Sequence, residues 1–162
     1  MLVRDTEHAG RTGEPPAPGA HFLNNVLATT ASYVDEDPAR ARDLLADLGA
    51  FLAYRLRDDL QPVPLADELD FVRTYLRLEQ ARYDDRLHPD VARDCPDGAR
   101  VVPLSVQERV QDAVGRRLRD RPGPVRVALR VASDGAAVRV DLSDHPGGGE
   151  PERLVVDLEP GA

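Results

Sequence analysis

The spacing of apolar residues changes once along this chain, at Pro122-Gly123-Pro124, and the change limits the folds it can adopt. Before it, apolar residues recur every three or four positions, which is typical of amphipathic helices. After it, apolar and polar residues alternate in residues 125–131, and Ser133-Asp134-Gly135 provides a turn to a second alternating run. We therefore expect an α+β protein, helical in its first half and closed by a small antiparallel sheet.

The first two predicted helices form a hairpin. The first begins near residue 20 and is interrupted by Asp35-Glu36-Asp37-Pro38, where Asp37 suits an N-cap and Pro38 the first helical position. The second ends before Gln61-Pro62-Val63-Pro64. We accordingly divide the chain into a disordered lead at residues 1–19, a helical hairpin at 20–60 and an α/β part at 61–162.

The α/β part is predicted to start with a linking helix at residues 65–87, followed by loops and one short strand near Val91. A fourth helix opens at Ser105-Val106-Gln107-Glu108, which has the pattern of a capping box. In this pattern Ser105 and Glu108 would satisfy the first free N–H groups of the helix.

A two-helix hairpin cannot bury its apolar side alone. Hairpins from two chains pair into a four-helix bundle, so we expect a homodimer. The alternative is that both helices fold back onto the α/β part of the same chain.

Composition excludes several classes of function. The net charge is −8 with acidic and basic residues interleaved, which argues against a nucleic-acid partner. Cys95 is the only cysteine, so neither an intrachain disulfide nor a cysteine-based metal cluster can form. No apolar run has the length of a membrane span, and the start of the chain turns polar at Arg4. We expect a soluble cytoplasmic protein with no membrane segment in this chain.

The residues with the clearest chemical potential are His21 and Asn25. They lie one helical turn apart, directly after a Pro/Gly-rich lead, so both side chains project from the same flank of the first helix. A neutral imidazole is a competent nucleophile toward a phosphoryl group. The amide of Asn25 would orient the ring or the phosphoryl oxygens. The plainer alternative is an ordinary surface or capping histidine.

From about residue 18 to residue 115, the sequence resembles the LytS/YehU-type sensor histidine kinases. The resemblance rests on motifs in the family's order, which read His21-Phe22-Leu23-x-Asn25, Leu52-Ala53-Tyr54-Arg55-Leu56-Arg57, Pro64-Leu65-Ala66-Asp67-Glu68-Leu69-Asp70-Phe71-Val72 and Tyr75-Leu76-x-Leu78-Glu79-x-x-Arg82-Tyr83-x-Asp85-Arg86-Leu87. One departure precedes the histidine, where the family has Asn-Pro and this chain has Gly19-Ala20.

The resemblance implies a dimerisation and histidine-phosphotransfer hairpin followed by a small α/β sandwich of the GHKL (Bergerat) ATPase type. His21 aligns with the phosphorylated histidine of the family, and Asn25 with the asparagine one turn later. The implied partners are the receiver domain of a response regulator or a partner histidine kinase. Arg82 and Arg86 also match family positions, and we expect them to form solvent-facing salt bridges.

The nucleotide-binding motifs of that family are altered in the fourth helix. Gln111 replaces the glutamate, Asp112 replaces the asparagine that holds magnesium, and Arg116-Arg117 replace a His-Gly pair. A carboxylate is a hard oxygen ligand, so Asp112 remains a candidate Mg²⁺ ligand.

The adenine-binding loop is altered as well. Asp144 stands where the family's aspartate accepts from adenine, but Pro146 replaces the first glycine of the motif, and Gly148 belongs to a glycine run that also reads as a flexible connector. The lid and the phosphate loop that follow in the family are missing from the sequence. We therefore expect a degenerate GHKL-like domain that has lost ATP binding.

These observations predict a histidine phosphotransfer protein that accepts and passes on a phosphoryl group at His21 without a cofactor of its own. Two alternatives stay open. One is a minimal ATP-dependent kinase that binds ATP and Mg²⁺ through Asp112, Asp144 and Gly148. The other is a non-catalytic pseudokinase that acts only by binding a kinase or a response regulator.

Overall fold

A computed structural model describes residues 19–59, 61–91, 96–120, 122–133, 137–143 and 152–157, with side chains up to residue 131. Four helices and six strands follow one another in these ranges: α1 (Ala20–Glu36), α2 (Pro38–Arg55), β1 (Val63–Pro64), α3 (Leu65–Tyr83), β2 (Leu87–Val91), β3 (Arg100–Val101), α4 (Ser105–Asp120), β4 (Val125–Ser133), β5 (Ala137–Ser143) and β6 (Glu152–Asp157). The predicted α+β class is confirmed. The predicted lead, up to residue 18, lies outside the described residues.

The strands form two sheets. The larger has the order β2-β4-β5-β6, with β4, β5 and β6 antiparallel as the alternating pattern predicts. Strand β2 adds to β4 in parallel, pairing Leu87 with Val125. The smaller sheet is the antiparallel pair β1-β3, in which Val63 faces Val101.

The third helix ends at Tyr83, earlier than the predicted end at Leu87. Asp84 closes it with a positive φ of 45°, and a short 3₁₀ turn, Asp84–Arg86, leads into β2. Leu87 is fully buried in this strand rather than in the helix. Apolar periodicity alone did not reveal this end, because a buried leucine fits either a helix or a strand at that point.

The hairpin packs on α3 of the same chain, which is the alternative arrangement considered above. The ring of Phe51 in α2 stacks on Phe71 with centroids 5.2 Å apart, and Tyr54 stacks on Phe71 at 4.2 Å. Between α1 and α2, Asp37 accepts a hydrogen bond from the backbone N–H of Arg40 at 3.0 Å, which confirms the predicted N-cap. The opposite side of the hairpin leaves three large apolar residues half exposed: Leu27, Val34 and Leu45.

The start of α4 is capped by a residue from α3, and the predicted capping box is wrong. The carboxylate of Glu68, which is fully buried, accepts the N–H of Leu104 at 3.0 Å and the N–H of Gln107 at 3.3 Å. Ser105 Oγ is buried and has no hydrogen-bond partner in the described part of the chain. A buried carboxylate next to free N–H groups is a stronger cap than the Ser105 hydroxyl, because it places a full negative charge at the positive end of the helix.

Glu68 also reaches the hairpin. The hydroxyl of Tyr54, in the last turn of α2, donates to Oε2 of Glu68 at 2.7 Å. The same oxygen accepts the hydrogen bond from the N–H of Leu104. Leu104 has a φ of +69°, in the left-handed region that costs a non-glycine residue about 1 kcal/mol. One carboxylate thus joins α2, α3 and α4 and stabilises a strained turn between β3 and α4.

Burial raises the pKa of Glu68, while its hydrogen bonds from Tyr54 and from the backbone of Leu104 and Gln107 partly offset the effect. When protonated, Glu68 can donate to the Tyr54 oxygen and still accept both N–H groups. The folded state therefore favours the protonated form relative to the unfolded chain. Stability from this group is fully present below the unfolded pKa and is lost as the pH rises through the folded pKa.

We predict that Glu68→Gln lowers the free energy of unfolding by about 1–3 kcal/mol at acid pH, because the amide leaves one buried donor unpaired. The difference in the free energy of unfolding between this variant and the wild type should become smaller as the pH rises through the folded pKa of Glu68, because the wild type then loses stability. Denaturant unfolding of the wild type and of Glu68→Gln, from about pH 4 to about pH 8, measures this difference in the free energy of unfolding. The control is Asp67→Asn, an exposed neighbour in the same turn. A gap that widens with pH would contradict this account of Glu68.

Candidate functional site

His21 lies in the first turn of α1 with its side chain exposed. The Nδ2 atom of Asn25 is 2.9 Å from Nδ1 of His21. The predicted proximity of these two residues is therefore present, and the ring is held from one side while its Nε2 edge is left without a partner among the described residues. This arrangement gives an incoming group access to one nitrogen of the imidazole.

The Asn25 amide determines which nitrogen carries the lone pair. With Nδ2 donating to Nδ1, the neutral ring keeps its proton on Nε2. If the amide turns by half a revolution, Oδ1 takes the place of Nδ2 and accepts the proton of Nδ1–H, so that the Nε2 lone pair faces water. Amide orientation and histidine tautomer are assigned from the hydrogen-bond network, and both arrangements satisfy it. Asn25 is thus able to hold the ring in the nucleophilic form.

Phe22, the next residue along α1, anchors the turn that carries His21. Its ring centroid is 5.2 Å from that of Phe51 and 5.9 Å from that of Tyr75. On a helix, consecutive side chains point about 100° apart, so a ring held against α2 and α3 directs its neighbour outward. The exposure of His21 therefore follows from the packing of Phe22.

A second carboxylate of α3 lies beneath Phe22. Glu79 pairs with Arg82 Nη1 at 2.5 Å, and the side chains are only 9% and 12% exposed. The expected solvent-facing salt bridge of Arg82 is therefore wrong. Arg86, the other arginine expected to form one, donates to the backbone oxygen of Leu118 at 3.0 Å. Burial raises the pKa of Glu79, and Arg82 and the Tyr75 hydroxyl partly offset the effect.

A side-chain relay runs from the end of the hairpin along α4. Arg55 Nη1 donates to Oε1 of the buried Gln107 at 2.9 Å, and Gln107 Nε2 donates to Oε1 of Gln111 at 2.7 Å. The amide of Gln111, which stands where the family has a glutamate, is engaged in this relay. A neutral amide oxygen is a weak proton acceptor, so Gln111 does not replace a carboxylate as a base.

Asp112 is exposed on α4, and no hydrogen bond or ion pair to it occurs within the described residues. No cluster of three or more His, Cys, Asp or Glu side chains able to hold a metal occurs in those residues either. Asp112 is therefore not part of a cluster of three or more potential ligand side chains in the described ranges. Arg116 and Arg117 follow one turn later on the same helix.

The remaining predicted nucleotide contacts, Asp144 and Gly148, lie outside the described residues, as do Pro146 and Cys95. Sequence reasoning missed Glu68 as a site residue, since a glutamate in the first turn of a helix is favoured by the helix dipole and gives no sign of burial. The buried pair Glu79–Arg82 was visible as a three-residue spacing, but its burial was not. The apolar residues Tyr75, Leu76 and Leu78, just before Glu79, were the available signal in the sequence.

Comparison with known proteins supports the resemblance. The family model described as Histidine kinase matches residues 19–87. The chain is 30% identical over 156 residues to Sensor protein LytS of Staphylococcus saprophyticus, covering 94% of this chain and 26% of that protein. It is 31% identical over 146 residues to Sensor histidine kinase YpdA of Escherichia coli, covering 87% and 26%. Sensor histidine kinase BtsS of Escherichia coli is 28% identical over 128 residues, with 78% and 23% covered.

The chain spans about a quarter of the length of these curated relatives. None of the helices in the described ranges is both long and apolar enough to cross a bilayer. The matched region, residues 19–87, contains α1, α2 and α3 together with His21, Asn25 and the Glu79–Arg82 pair. The chain belongs to the LytS-type sensor histidine kinase family.

Proposed function

We propose that this chain is a histidine phosphotransfer protein of a two-component pathway in the cytoplasm and that His21 is its phosphoacceptor. The observation that carries the proposal is an exposed imidazole, oriented by Asn25, on a helix turn anchored by Phe22. Such a histidine is accessible to another protein without any rearrangement of this chain.

The chemistry needs only the imidazole and a phosphorylated partner. The lone pair of the free ring nitrogen attacks the phosphorus of an aspartyl phosphate in line, a P–N bond forms as the P–O bond breaks, and the aspartate leaves as a carboxylate. The ring nitrogen that held the proton releases it to water. Charge on the transferring group would be neutralised by the magnesium ion of the receiver, so this chain need not hold a metal.

Two features of α4 favour transfer from a partner over self-phosphorylation from ATP. Gln111 has an amide in place of a carboxylate, and its Oε1 accepts a hydrogen bond from Gln107 Nε2. Asp112 belongs to no cluster of three or more potential metal ligands among the described side chains. Both features support a loss of ATP-dependent activity, while the alternative of a minimal kinase remains the competing outcome of the experiment below.

We also propose that the protein is a homodimer. Leu27 and Val34 are separated by seven positions on α1 and are 49% and 52% exposed, and Leu45 on α2 is 51% exposed. Leu27 and Val34 therefore lie on one stripe of α1. The aromatic side of the hairpin is already covered by α3, so this stripe is the face left for a second hairpin.

The first prediction concerns His21. Incubation with a receiver domain carrying phospho-aspartate should transfer label to the wild-type chain as acid-labile, base-stable phosphate, and His21→Gln should abolish it. His88→Gln is the matched control, because His88 is another exposed histidine. A parallel reaction with labelled ATP and Mg²⁺ should leave the chain unlabelled. Labelling from ATP would favour the minimal kinase, and transfer that survives His21→Gln would contradict the proposal.

The second prediction concerns Asn25. Asn25→Ala removes the group that orients the ring and should reduce transfer at least about tenfold, within the range that orientation of a reacting group contributes. Asn25→Asp keeps an oxygen that accepts from Nδ1–H and should retain most of the rate. Nitrogen NMR of the imidazole should show more of the tautomer with the proton on Nδ1 in Asn25→Asp than in the wild type. Equal transfer rates in all three proteins would contradict a role for this amide.

The third prediction concerns the stripe on α1. The double variant Leu27→Glu/Val34→Glu should shift the protein from dimer to monomer in sedimentation equilibrium, because two charges replace apolar contacts. Arg109→Glu on α4 changes the net charge by the same amount at an exposed site and should leave the dimer intact. A wild type that is monomeric at high micromolar concentrations would contradict the dimer.

A further inference from the structure

The first turn of α1 lacks the usual means of fixing a helix start. Gly19 is its N-cap and offers no side-chain hydrogen bond, and within residues 19–59 the N–H groups of Phe22 and Leu23 close the turn by donating to the Gly19 carbonyl. Helix ends without a cap fray. The side chains of this turn that pack against the core are Phe22 and Leu23.

Phe22 contacts Tyr75 and Arg82 on one face of α3, and Glu79 of the same face pairs with Arg82; these three residues of α3 are called the Phe22 clamp. The ring of Tyr75 is 5.9 Å from that of Phe22, and the Arg82 guanidinium carbon is 5.7 Å from the Phe22 ring centroid. A guanidinium within about 6 Å of an aromatic ring is attracted to its face. Phe22 thus has an aromatic ring on one side and a cation on another.

Arg82 is itself fixed. Its Nη1 atom is 2.5 Å from Oε2 of Glu79, its side chain is 12% exposed, and its guanidinium also lies 5.1 Å from the Tyr83 ring centroid. Glu79 is in turn hydrogen bonded to the Tyr75 hydroxyl. Both outer members of the clamp therefore depend on the same carboxylate, and the position of the guanidinium over Phe22 is determined by α3.

We infer that Arg82 is a positioning residue for phosphotransfer, which fixes through Phe22 the direction in which α1 presents His21 to a docked receiver. The inference rests on the proposed function. Arg82 does not alter the chemistry of the imidazole, which is exposed and bonded to Asn25 alone in the described part of the chain. It restricts the rotation and fraying of the turn, and a displacement of about 1 Å in a reacting group reduces a transfer rate strongly.

The test uses the full chain and a variant without an unpaired buried charge, Glu79→Gln/Arg82→Met. Amide hydrogen exchange of residues 22–25 should accelerate several-fold, and transfer from a phosphorylated receiver at saturation should fall about tenfold with KM unchanged. Arg82→Lys keeps the cation and should retain transfer within about threefold of the wild type. Arg77→Met is the control on the same helix, since Arg77 pairs with Asp47 at the surface.

A partner-free reaction separates positioning from reactivity. Phosphoramidate labels accessible imidazoles without a docked protein, and His21 should be labelled at the wild-type rate in Glu79→Gln/Arg82→Met. If the rate of labelling by phosphoramidate in this variant falls by the same factor as the rate of transfer from the receiver, Arg82 acts on the imidazole itself and the inference is wrong. Unchanged amide exchange or unchanged transfer in this variant would also overturn it. If the wild-type chain accepts no phosphoryl group from any receiver, the proposed function is wrong, and Arg82 has no role in transfer.

Discussion

The carboxylate of Glu68 is the interaction on which the arrangement of this chain depends. It lies with no exposed surface between three helices and accepts hydrogen bonds from the Tyr54 hydroxyl and from two N–H groups at the start of α4. Without it, the end of the hairpin and the start of α4 would have no common partner, and the free N–H groups of a buried helix start would be left unsatisfied. Glu68 thereby connects the hairpin to the α/β part, and its carboxylate cannot move without breaking hydrogen bonds to one or the other.

Glu68 and Glu79 are buried carboxylates of α3, and Glu68 is the one that accepts a hydrogen bond from the hairpin. They lie eleven positions apart, about three helical turns, so they belong to the same face of α3. Burying a carboxylate costs free energy that its hydrogen bonds only partly recover, so the contribution of Glu68 lies more in specifying the register of the hairpin than in stabilising it. A hairpin shifted by one turn would still bury Phe51 against aromatic rings, but Glu68 would lose the hydrogen bond from the Tyr54 hydroxyl.

Much of this arrangement could be predicted from the sequence. The hairpin, its N-cap at Asp37, the antiparallel strands and the pairing of His21 with Asn25 follow from periodicity and spacing, because these contacts are local. The cap of α4 could not be predicted, since Glu68 is 36 residues from Leu104 and the local pattern at Ser105 suggested a different donor arrangement. The burial of Glu79 and Arg82 was likewise hidden, because a three-residue charge spacing is the same on a solvated helix and on a buried one.

The connection between the hairpin and α4 bears on how His21 would receive a phosphoryl group. A kinase that loads its own histidine must bring a nucleotide to it, which requires its nucleotide-binding part to move relative to the hairpin. In this chain α4 is held to the end of α2 by Glu68 and by the relay from Arg55 through Gln107, while stacked rings hold α2 on α3. Breaking these contacts would expose aromatic surface and leave buried polar groups unpaired, at a cost of several kcal/mol. Transfer from a docked partner requires none of this movement, since His21 is already exposed on the outer side of α1.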